Sequence, residues 1–320
     1  MEYNKPIRTV AVVGTGVIGA SWAAQFLARG LDVIATDPGP NAEATLRSFV
    51  KNTWPALTEL GLSSEASLDR LQFTPSSAKA VSMADFVQEN APERLDFKVQ
   101  LYAELDDATP ADSIIASSSS ALPMSQIQVK CLHPERCIIG HPFNPPHLIP
   151  LVEIVGGAKT SQEAIDRAFT FYADLGKKPI RVHKELPGHV ANRLQWALYR
   201  EISYLVDQGV LSVEDSDVAV SWGPGLRWGL MGPSMLWHLA GGEGGIQHFM
   251  EHLAPGLAAG FKLLGDPELT PDLEKRIVEG VVHEAGGRTI DQLEMQRDAM
   301  LLKLLSIRTA DEKLASSPQA

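Results

Sequence analysis

The sequence predicts an α/β N-terminal Rossmann-like domain, built on a mainly parallel sheet, followed by an all-α C-terminal domain. Three observations predict this fold class. Short apolar runs alternate with helical patterns through the first half of the 320 residues. A glycine-rich turn follows the first of these runs, and no strong strand signal follows Val182. We expect a hinge at residues 184–188, which gives domains of residues 1–186 and 187–320.

The strand candidates of the first domain are short runs of apolar residues. They cover residues 9–13, 32–36, 85–89, 114–117, 137–140, 151–155 and 179–182. Between them, apolar residues recur at intervals of three and four, which predicts helices over residues 21–28, 95–105 and 162–172. Alternation of this kind is typical of βαβ units and a parallel sheet.

The second domain shows only helical patterns. The strongest cover residues 190–206, 246–264, 271–284 and 290–305. The first is apolar on much of its circumference, which predicts a central or interface helix. Residues 212–215 resemble a capping box that opens a further helix. We expect a frayed tail after about Asp311.

The glycine turn predicts a dinucleotide site. It lies between a strand and a helix and has the sequence Gly14-Thr15-Gly16-Val17-Ile18-Gly19. In this arrangement the backbone leaves space for a pyrophosphate, and the helix N-terminus faces its negative charge. A glycine turn that binds another ligand is the alternative.

Asp37 indicates which dinucleotide binds. It ends the second strand, 23 residues after Gly14, where a carboxylate accepts hydrogen bonds from the ribose hydroxyls. The same carboxylate would repel a 2′-phosphate, and residues 38–40 supply no arginine to bind one. The cofactor is therefore expected to be NAD and not NADP.

His141 is the first catalytic candidate. It ends a predicted strand of the sheet, where catalytic groups tend to lie. A histidine, with an ordinary pKa near ~6.5, can take a proton from a hydroxyl while hydride leaves the carbon. Glu153 follows twelve residues later in the next strand, where it could orient the imidazole. A histidine without a catalytic role is the alternative.

Four motifs resemble those of the 3-hydroxyacyl-CoA dehydrogenase superfamily, in the family's order and at close to its spacing. They are Ser117-Ser118-Ser119-Ser120, His141-Pro-Phe-Asn-Pro, Leu151-Val-Glu153 and residues 187–194, Pro-Gly-His-Val-Ala-Asn-Arg-Leu. The resemblance implies that His141 is the general base, that Glu153 is its partner, and that Ser120 and Asn192 contact the substrate oxygen. It also implies two cofactor contacts near the nicotinamide, Glu93 and Lys98, although a solvated charge pair is the alternative.

One position departs from the family pattern. The family has Asn-Thr-Ser-Ser where this chain has residues 118–121, Ser-Ser-Ser-Ala. Ser120 is matched to the family serine by its 21-residue distance from His141. Ser118 therefore stands in place of the family's asparagine.

The substrate is indicated by the second domain. Residues 223–233, Gly-Pro-Gly-Leu-Arg-Trp-Gly-Leu-Met-Gly-Pro, resemble a loop of two free-acid branches of the family, the L-carnitine dehydrogenases and the L-gulonate 3-dehydrogenases related to lambda-crystallin. Arg227 on this glycine-bounded loop could bind a carboxylate with its planar fork. Residues 92–95 and 239–249 resemble the carnitine branch more closely. A quaternary ammonium favours aromatic faces and carboxylates, and the candidates are Trp228, Phe143, Glu243, Trp196, Trp222 and Trp237.

Charge and composition limit the function classes. The formal net charge of −11 argues against nucleic acid and anionic membranes as partners. Thioester-specific members of the family that the chain resembles commonly have a stretch rich in basic residues here, which binds the CoA phosphates. Residues 41–70 are short and mixed in charge, so the resemblance argues against a CoA carrier. Only two cysteines are present, Cys131 and Cys137, at a spacing that fits no metal site, so we expect no metal. No stretch approaches ~18 uninterrupted apolar residues and no signal-peptide core is evident, so we expect a cytoplasmic location. The family resemblance implies a homodimer.

These observations leave three hypotheses. The first is NAD-dependent oxidation of a free 3-hydroxy acid to the 3-keto acid, with L-carnitine ahead of L-gulonate. The second is a dehydrogenase of 3-hydroxyacyl-CoA thioesters. The third is a non-catalytic protein that keeps the dinucleotide-binding fold, against which the set Ser120, His141, Glu153 and Asn192 argues.

Overall fold

A computed structural model describes residues 5–316. Eight strands form one sheet: β1 Thr9–Val13, β2 Asp32–Thr36, β3 Leu71–Phe73, β4 Phe86–Glu89, β5 Ile114–Ser117, β6 Cys137–Pro142, β7 Leu151–Gly156 and β8 Lys178–Val182. The helices of the same region are α1 Val17–Ala28, α2 Ala42–Leu60, α3 Ser77–Val81, α4 Leu95–Ala108, α5 Met124–Ile127 and α6 Gln162–Asp174. The fold class of this region is thus the predicted one.

The sheet has the order β3-β2-β1-β4-β5-β6-β7-β8. All neighbouring strands are parallel except β6 and β7, which are antiparallel. Alternate residues of a strand face opposite sides of the sheet, so Val10 and Val12 join one apolar core, and Ala11 and Val13 join the other. Helices cover both faces, as a mostly parallel sheet requires.

The strand order reverses between β1 and β4, which creates a topological switch point. Ligands of doubly wound sheets bind outside the carboxyl ends of the strands at such a point. The glycine turn leaves β1 here, and the residues that follow β4 and β5 lie beside it. The fold therefore brings the predicted site residues of the first domain to one edge of the sheet.

The seven predicted strands are all present, with ends that differ by at most two residues. The prediction missed β3, Leu71–Phe73, because a strand of three residues is too short to show a distinct apolar alternation. It also missed the antiparallel direction of β7. A strand's own apolar pattern does not record the direction of its neighbour.

The chain divides into two compact units, Met1–Arg193 and Leu194–Ala320. The predicted domain boundary at residues 186 and 187 stays a prediction. From Ala191 onward the described elements are helices: α7 Ala191–Asp207, α8 Val213–Trp222, α9 Pro224–Trp228, α10 Pro233–Ala240, α11 Gly245–His252, α12 Ala254–Phe261, α13 Pro271–Ala285 and α14 Ile290–Ser316.

Three expectations for the second unit were wrong in detail. The single helix over residues 246–264 is two helices, because Pro255 ends the hydrogen-bond ladder and opens α12. The glycine-bounded loop that carries Arg227 is the short helix α9, with Pro224 in its first turn. The tail after Asp311 continues α14 to Ser316, and residues 317–320 lie outside the described part.

Ser212 opens α8 as predicted, because its side chain accepts a hydrogen bond from the Asp215 amide. None of the helices described between residues 5 and 316 combines the length and the apolar character that crossing a membrane requires.

Candidate active site

The glycine turn has the shape of a phosphate cradle. Gly14 has φ +84°, and a Cβ there would lie 2.8 Å from the Asn90 carbonyl oxygen. A Cβ at Gly19 would lie 1.9 Å from the Gly14 oxygen, so only glycine lets α1 begin this close to the turn. A Cβ at Gly16, in contrast, would meet nothing within 4 Å. Gly16 therefore has free space beside it, where a pyrophosphate would lie.

The start of α1 can receive this anion. Gly16 is its N-cap and provides no side-chain cap, and the first turn contains no acidic residue. The amides of the first turn, from Val17 to Gly19, thus face the cradle with their partial positive charge. The residues of the turn fit the pyrophosphate of NAD, including Val17 and Ile18, which open the helix.

Asp37 lies beside the turn, as predicted. Its Oδ2 accepts hydrogen bonds from the Thr15 amide at 2.7 Å and hydroxyl at 3.2 Å, and its Oδ1 accepts one from the Gly39 amide at 2.8 Å. A carboxylate has about four acceptor positions, so the fixed carboxylate retains capacity for ribose hydroxyls. The fixed position of Asp37 supports the proposed preference for NAD.

His141 and Glu153 face each other across the antiparallel pair of β6 and β7. His141 Nδ1 lies 2.8 Å from Glu153 Oε2, and both residues are buried. Burial by itself would raise the pKa of the Glu153 carboxyl, but hydrogen bonds from His141 and from the Ala191 and Val190 amides hold it below its usual value. An ionised carboxylate only accepts, so Nδ1 carries a proton, and in the neutral form of the ring Nε2 is the acceptor.

Glu153 also fixes the helix that carries Asn192. Its second oxygen, Oε1, accepts hydrogen bonds from the amides of Val190 at 2.8 Å and Ala191 at 3.0 Å. Ala191 is the first residue of α7, so a negative charge lies at the positive end of this helix. Asn192 follows in the first turn and is thereby placed by the same carboxylate that orients His141.

Ser120 lies in a turn after β5 whose amides surround Glu93. Glu93 Oε1 accepts hydrogen bonds from the Ser119 hydroxyl at 2.6 Å and from the amides of Ser120 and Ala121, both at 2.9 Å. Burial raises the pKa of the Glu93 carboxyl, and these bonds more than offset it, so the pKa lies below its usual value. Ser120 itself is exposed at the sheet edge. Glu93 thus shapes the turn of Ser120, and its contact with the cofactor stays a prediction.

Lys98 is buried beside a carboxylate. Only 1% of its side chain is exposed, and its ammonium donates to Glu89 Oε1 at 2.5 Å and to the Ala91 oxygen at 3.0 Å. The other oxygen of Glu89 accepts a hydrogen bond from the Ser117 hydroxyl at 2.6 Å. The contact of Lys98 with the cofactor stays a prediction.

Glu89 was missed in the sequence, although a carboxylate at the end of a buried strand beside a motif was a usable signal. Ser118, which replaces the family's asparagine, receives a hydrogen bond from Gln88 and donates one to Asn90 Oδ1 at 2.7 Å. It therefore joins the ends of β4 and β5. These buried contacts hold the turn that presents Ser120.

The substrate candidates fall into separate places. Phe143 directly follows β6 and is half-buried. In the second unit, Arg227, Trp228 and Trp237 line one mainly apolar cavity of about 170 Å³. Glu243 is exposed and does not line it. The cavity joins a guanidinium to aromatic side chains, which sequence spacing alone did not show.

The sheet edge can perform acid–base chemistry beside a dinucleotide. It holds the His141 imidazole, the Glu153 carboxylate that binds its Nδ1, and a serine and an asparagine on adjoining elements. A histidine placed in this way can accept the proton of a hydroxyl, while hydroxyl and amide groups bind the oxygen that remains.

Two family models match the chain in sequence order. The model for the 3-hydroxyacyl-CoA dehydrogenase NAD binding domain matches residues 9–186. The model for the C-terminal domain of the same family matches residues 188–284. Together they span most of the 320 residues.

Curated relatives are similar over nearly the whole chain. An L-carnitine dehydrogenase of Streptomyces griseus is 50% identical, over 93% of this chain and 89% of the relative. An L-carnitine dehydrogenase of Nocardiopsis dassonvillei is 47% identical, over 98% of this chain and 95% of the relative. A solved structure of the NAD+-dependent dismutase 5-formyl-3-hydroxy-2-methylpyridine 4-carboxylic acid 5-dehydrogenase is 32% identical, with a TM-score of 0.81 over 95% of this chain and 99% of that one.

Proposed function

Because this chain belongs to the 3-hydroxyacyl-CoA dehydrogenase family, we propose that it oxidises the free 3-hydroxy acid L-carnitine to 3-dehydrocarnitine. The protein is an NAD-dependent oxidoreductase that acts on a CH–OH group. The single observation that carries the proposed chemistry is the buried pair of His141 and Glu153, 2.8 Å apart, at the sheet edge that the glycine turn shares.

NAD, when bound, supplies the acceptor for the hydride. His141 Nε2 accepts the proton of the 3-hydroxyl, and the ionised Glu153 stabilises the imidazolium that forms. Ser120 and Asn192 hydrogen-bond the oxygen as it becomes a carbonyl. In the reverse direction the same groups act on the ketone, with a charged His141 as the acid.

The relatives and Arg227 support L-carnitine as the substrate. Both relatives described above are L-carnitine dehydrogenases, and each is identical to this chain at about half of the aligned positions. A protein of net charge −11 repels anions at long range, so a free acid needs a local cation. Arg227 lines a cavity with Trp228 and Trp237 and offers that cation. Phe143 and Glu243 remain part of the proposal as residues that contact the substrate.

One assay separates the candidate substrates. NADH formation is followed at alkaline pH with L-carnitine, L-gulonate, 3-hydroxybutyrate and 3-hydroxybutyryl-CoA. We expect the highest kcat/KM with L-carnitine. Turnover of the thioester alone would overturn the proposal and indicate a 3-hydroxyacyl-CoA dehydrogenase. A higher kcat/KM with L-gulonate would indicate a dehydrogenase of sugar acids.

Arg227→Met tests how the acid is bound. Loss of a charged hydrogen bond costs about 1.5–3 kcal/mol, so we expect kcat/KM for the acid to fall by at least about tenfold, mostly through KM. The matched control is Arg297→Met, which removes an arginine paired with Asp298 on α14. Equal kinetics of the two variants would show that Arg227 has no part in substrate binding.

The enzyme is further proposed to be a cytoplasmic homodimer. Apolar side chains on α7 support the dimer, since Leu194, Trp196 and Tyr199 are 68%, 53% and 50% exposed. Monomers rarely expose so many large apolar groups on one helix.

A further inference from the structure

His189 has no role in the reaction as described so far, yet it lies among the catalytic residues. It is 2% exposed and has φ +49°, one of two positive φ values among the described residues other than glycine. Such a backbone conformation is rare and is retained mainly where the surroundings enforce it. It follows Gly188 directly and precedes the amides that Glu153 binds.

The hydrogen bond of His189 defines its tautomer. Nε2 lies 2.9 Å from the carbonyl oxygen of Ser119, which can only accept, so Nε2 carries the proton. Nδ1 is then an acceptor, and it is buried with no hydrogen-bond partner among residues 5–316. Burial lowers the pKa of His189 below the ordinary histidine value, which keeps the ring neutral. A phenylalanine would fill the same space without an unpaired nitrogen, so the imidazole needs an explanation.

The bond to Ser119 completes a clamp on the residue that presents Ser120. One peptide plane contains both the Ser119 carbonyl and the Ser120 amide. Its carbonyl accepts from His189 Nε2 at 2.9 Å, and its amide donates to Glu93 Oε1 at 2.9 Å. Because both ends of the plane are held, it cannot rotate without loss of a hydrogen bond. The direction in which the chain enters Ser120 is thereby fixed.

The same ring packs against the proposed base. The ring centroids of His189 and His141 lie 5.1 Å apart, with the planes inclined by 48°. A neutral neighbour is required at this distance, because two charged imidazoles would repel each other when His141 takes a proton. His189 thus touches the base, the turn of Ser120 and the entry to α7.

We propose that His189 is a positioning residue for the dehydrogenation, which fixes the peptide plane before Ser120 relative to His141 and the start of α7. This inference rests on the proposed function for its kinetic consequence. The carbonyl of Ser119 and the neutral imidazole are its two essential parts, and the substrate need not touch His189.

Three substitutions test the two nitrogens and the ring of the His189 imidazole separately. In His189→Gln the side-chain amide nitrogen reaches the position of Nε2 and keeps a donor for Ser119. In His189→Asn the side chain reaches only the position of Nδ1, and Asn tolerates the positive φ. In His189→Phe the ring remains and both nitrogens are lost. His183→Phe, at an exposed histidine after β8, is the matched control.

Two readouts are compared for each variant. We expect kcat for 3-hydroxy acid oxidation to fall about tenfold in His189→Phe and His189→Asn, with KM for NAD within about twofold of wild type. We expect His189→Gln to keep most of the wild-type kcat. Amide hydrogen exchange in a peptide that covers residues 117–122 is expected to rise in the Phe and Asn variants and to stay near wild type in the Gln variant.

The outcomes distinguish a failure of the proposed function from a failure of the inference about His189. A wild-type enzyme that oxidises no 3-hydroxy acid refutes the proposed function, and the exchange measurement still decides whether His189 holds the turn. Wild-type exchange and kcat in His189→Phe would overturn the inference. A lower Tm in all three variants with an unchanged kcat would also overturn it, because His189 would then only stabilise the fold.

Discussion

Glu153 shows how one side chain can serve two parts of the site. Its Oε2 accepts from His141, and its Oε1 accepts from the amides of Val190 and Ala191. The carboxylate therefore links the orientation of the base to the start of the helix that carries Asn192. A change at Glu153 should affect both stability and catalysis.

Glu153→Gln is expected to lower the free energy of unfolding at pH 7 by about 1–3 kcal/mol, because a buried charge-assisted network is lost. The hydrogen bonds hold the pKa of Glu153 below its ordinary value of 4.5. A depressed carboxyl pKa stabilises the fold above the unfolded-state pKa, and this contribution disappears as the pH falls through the folded-state pKa. The difference from wild type should thus shrink below about pH 4.5.

Urea unfolding at a series of pH values measures this difference. Glu104→Gln, at an exposed position on α4 away from its first turn, is the matched control and should change the stability little at any pH. A difference between Glu153→Gln and wild type that stays constant from pH 7 to the acid range would contradict the assignment.

At the residue scale, the pair of His141 and Glu153 was predicted from their places on consecutive strands and from the family motifs. The two residues are direct partners across β6 and β7. The sequence did not predict that Glu89 takes the ammonium of Lys98, or that His189 binds the Ser119 carbonyl. These contacts join positions 9 and 70 residues apart. Only the folded chain shows such pairings.

The element formed by β1, the glycine turn and α1 separates two uses of glycine. Gly19 permits close packing, since a Cβ would lie 1.9 Å from the Gly14 oxygen. A Cβ at Gly16 would meet no atom within 4 Å, so packing does not require glycine at this position. We propose that this free space admits the phosphates of NAD.

Gly19→Ala is therefore expected to unfold the domain at a lower temperature, and Gly16→Ala to keep the wild-type Tm while NADH binds at least about tenfold more weakly. Gly256→Ala, at an open position on α12, is the control for both effects. Thermal unfolding and NADH fluorescence titration measure the two properties. A Gly16→Ala enzyme with normal NADH affinity would show that the cofactor does not approach this turn.

At the element scale, the prediction was wrong at a short strand, an interrupted helix and the direction of one strand. The strand β3 was missed because it has three residues, and the helix over residues 246–264 was predicted as one because its apolar spacing continues across Pro255. The antiparallel step at β7 was missed because direction depends on the connection between strands. It is nevertheless this step that places Glu153 opposite His141.

At the scale of the whole molecule, the two units differ in how much apolar surface they bury. The first has two large cores, one on each face of the sheet. The described core of the second contains Val206, Val213 and Leu273, with few neighbours. Large apolar side chains on α7 and α13 are exposed instead, among them Val278 at 60% and Val282 at 66%. A partner subunit would bury such a surface.

Trp196→Asp is expected to dissociate the proposed homodimer. Light scattering should give twice the chain mass of 34.7 kDa for wild type and one chain mass for the variant. Leu132→Asp, at an apolar position of the first unit that is 75% exposed, is the control and should remain dimeric. A wild-type enzyme that is monomeric at micromolar concentration would refute the proposed dimer.

The central claim is that the chain oxidises a 3-hydroxy acid with His141 as the base. Its most direct test is NADH formation from L-carnitine by wild type and by His141→Ala, with NADH affinity measured on the same samples. The account predicts rapid turnover by wild type, a loss of at least about a thousandfold in kcat for the variant, and NADH affinity within about threefold. Turnover by His141→Ala close to that of wild type would contradict it.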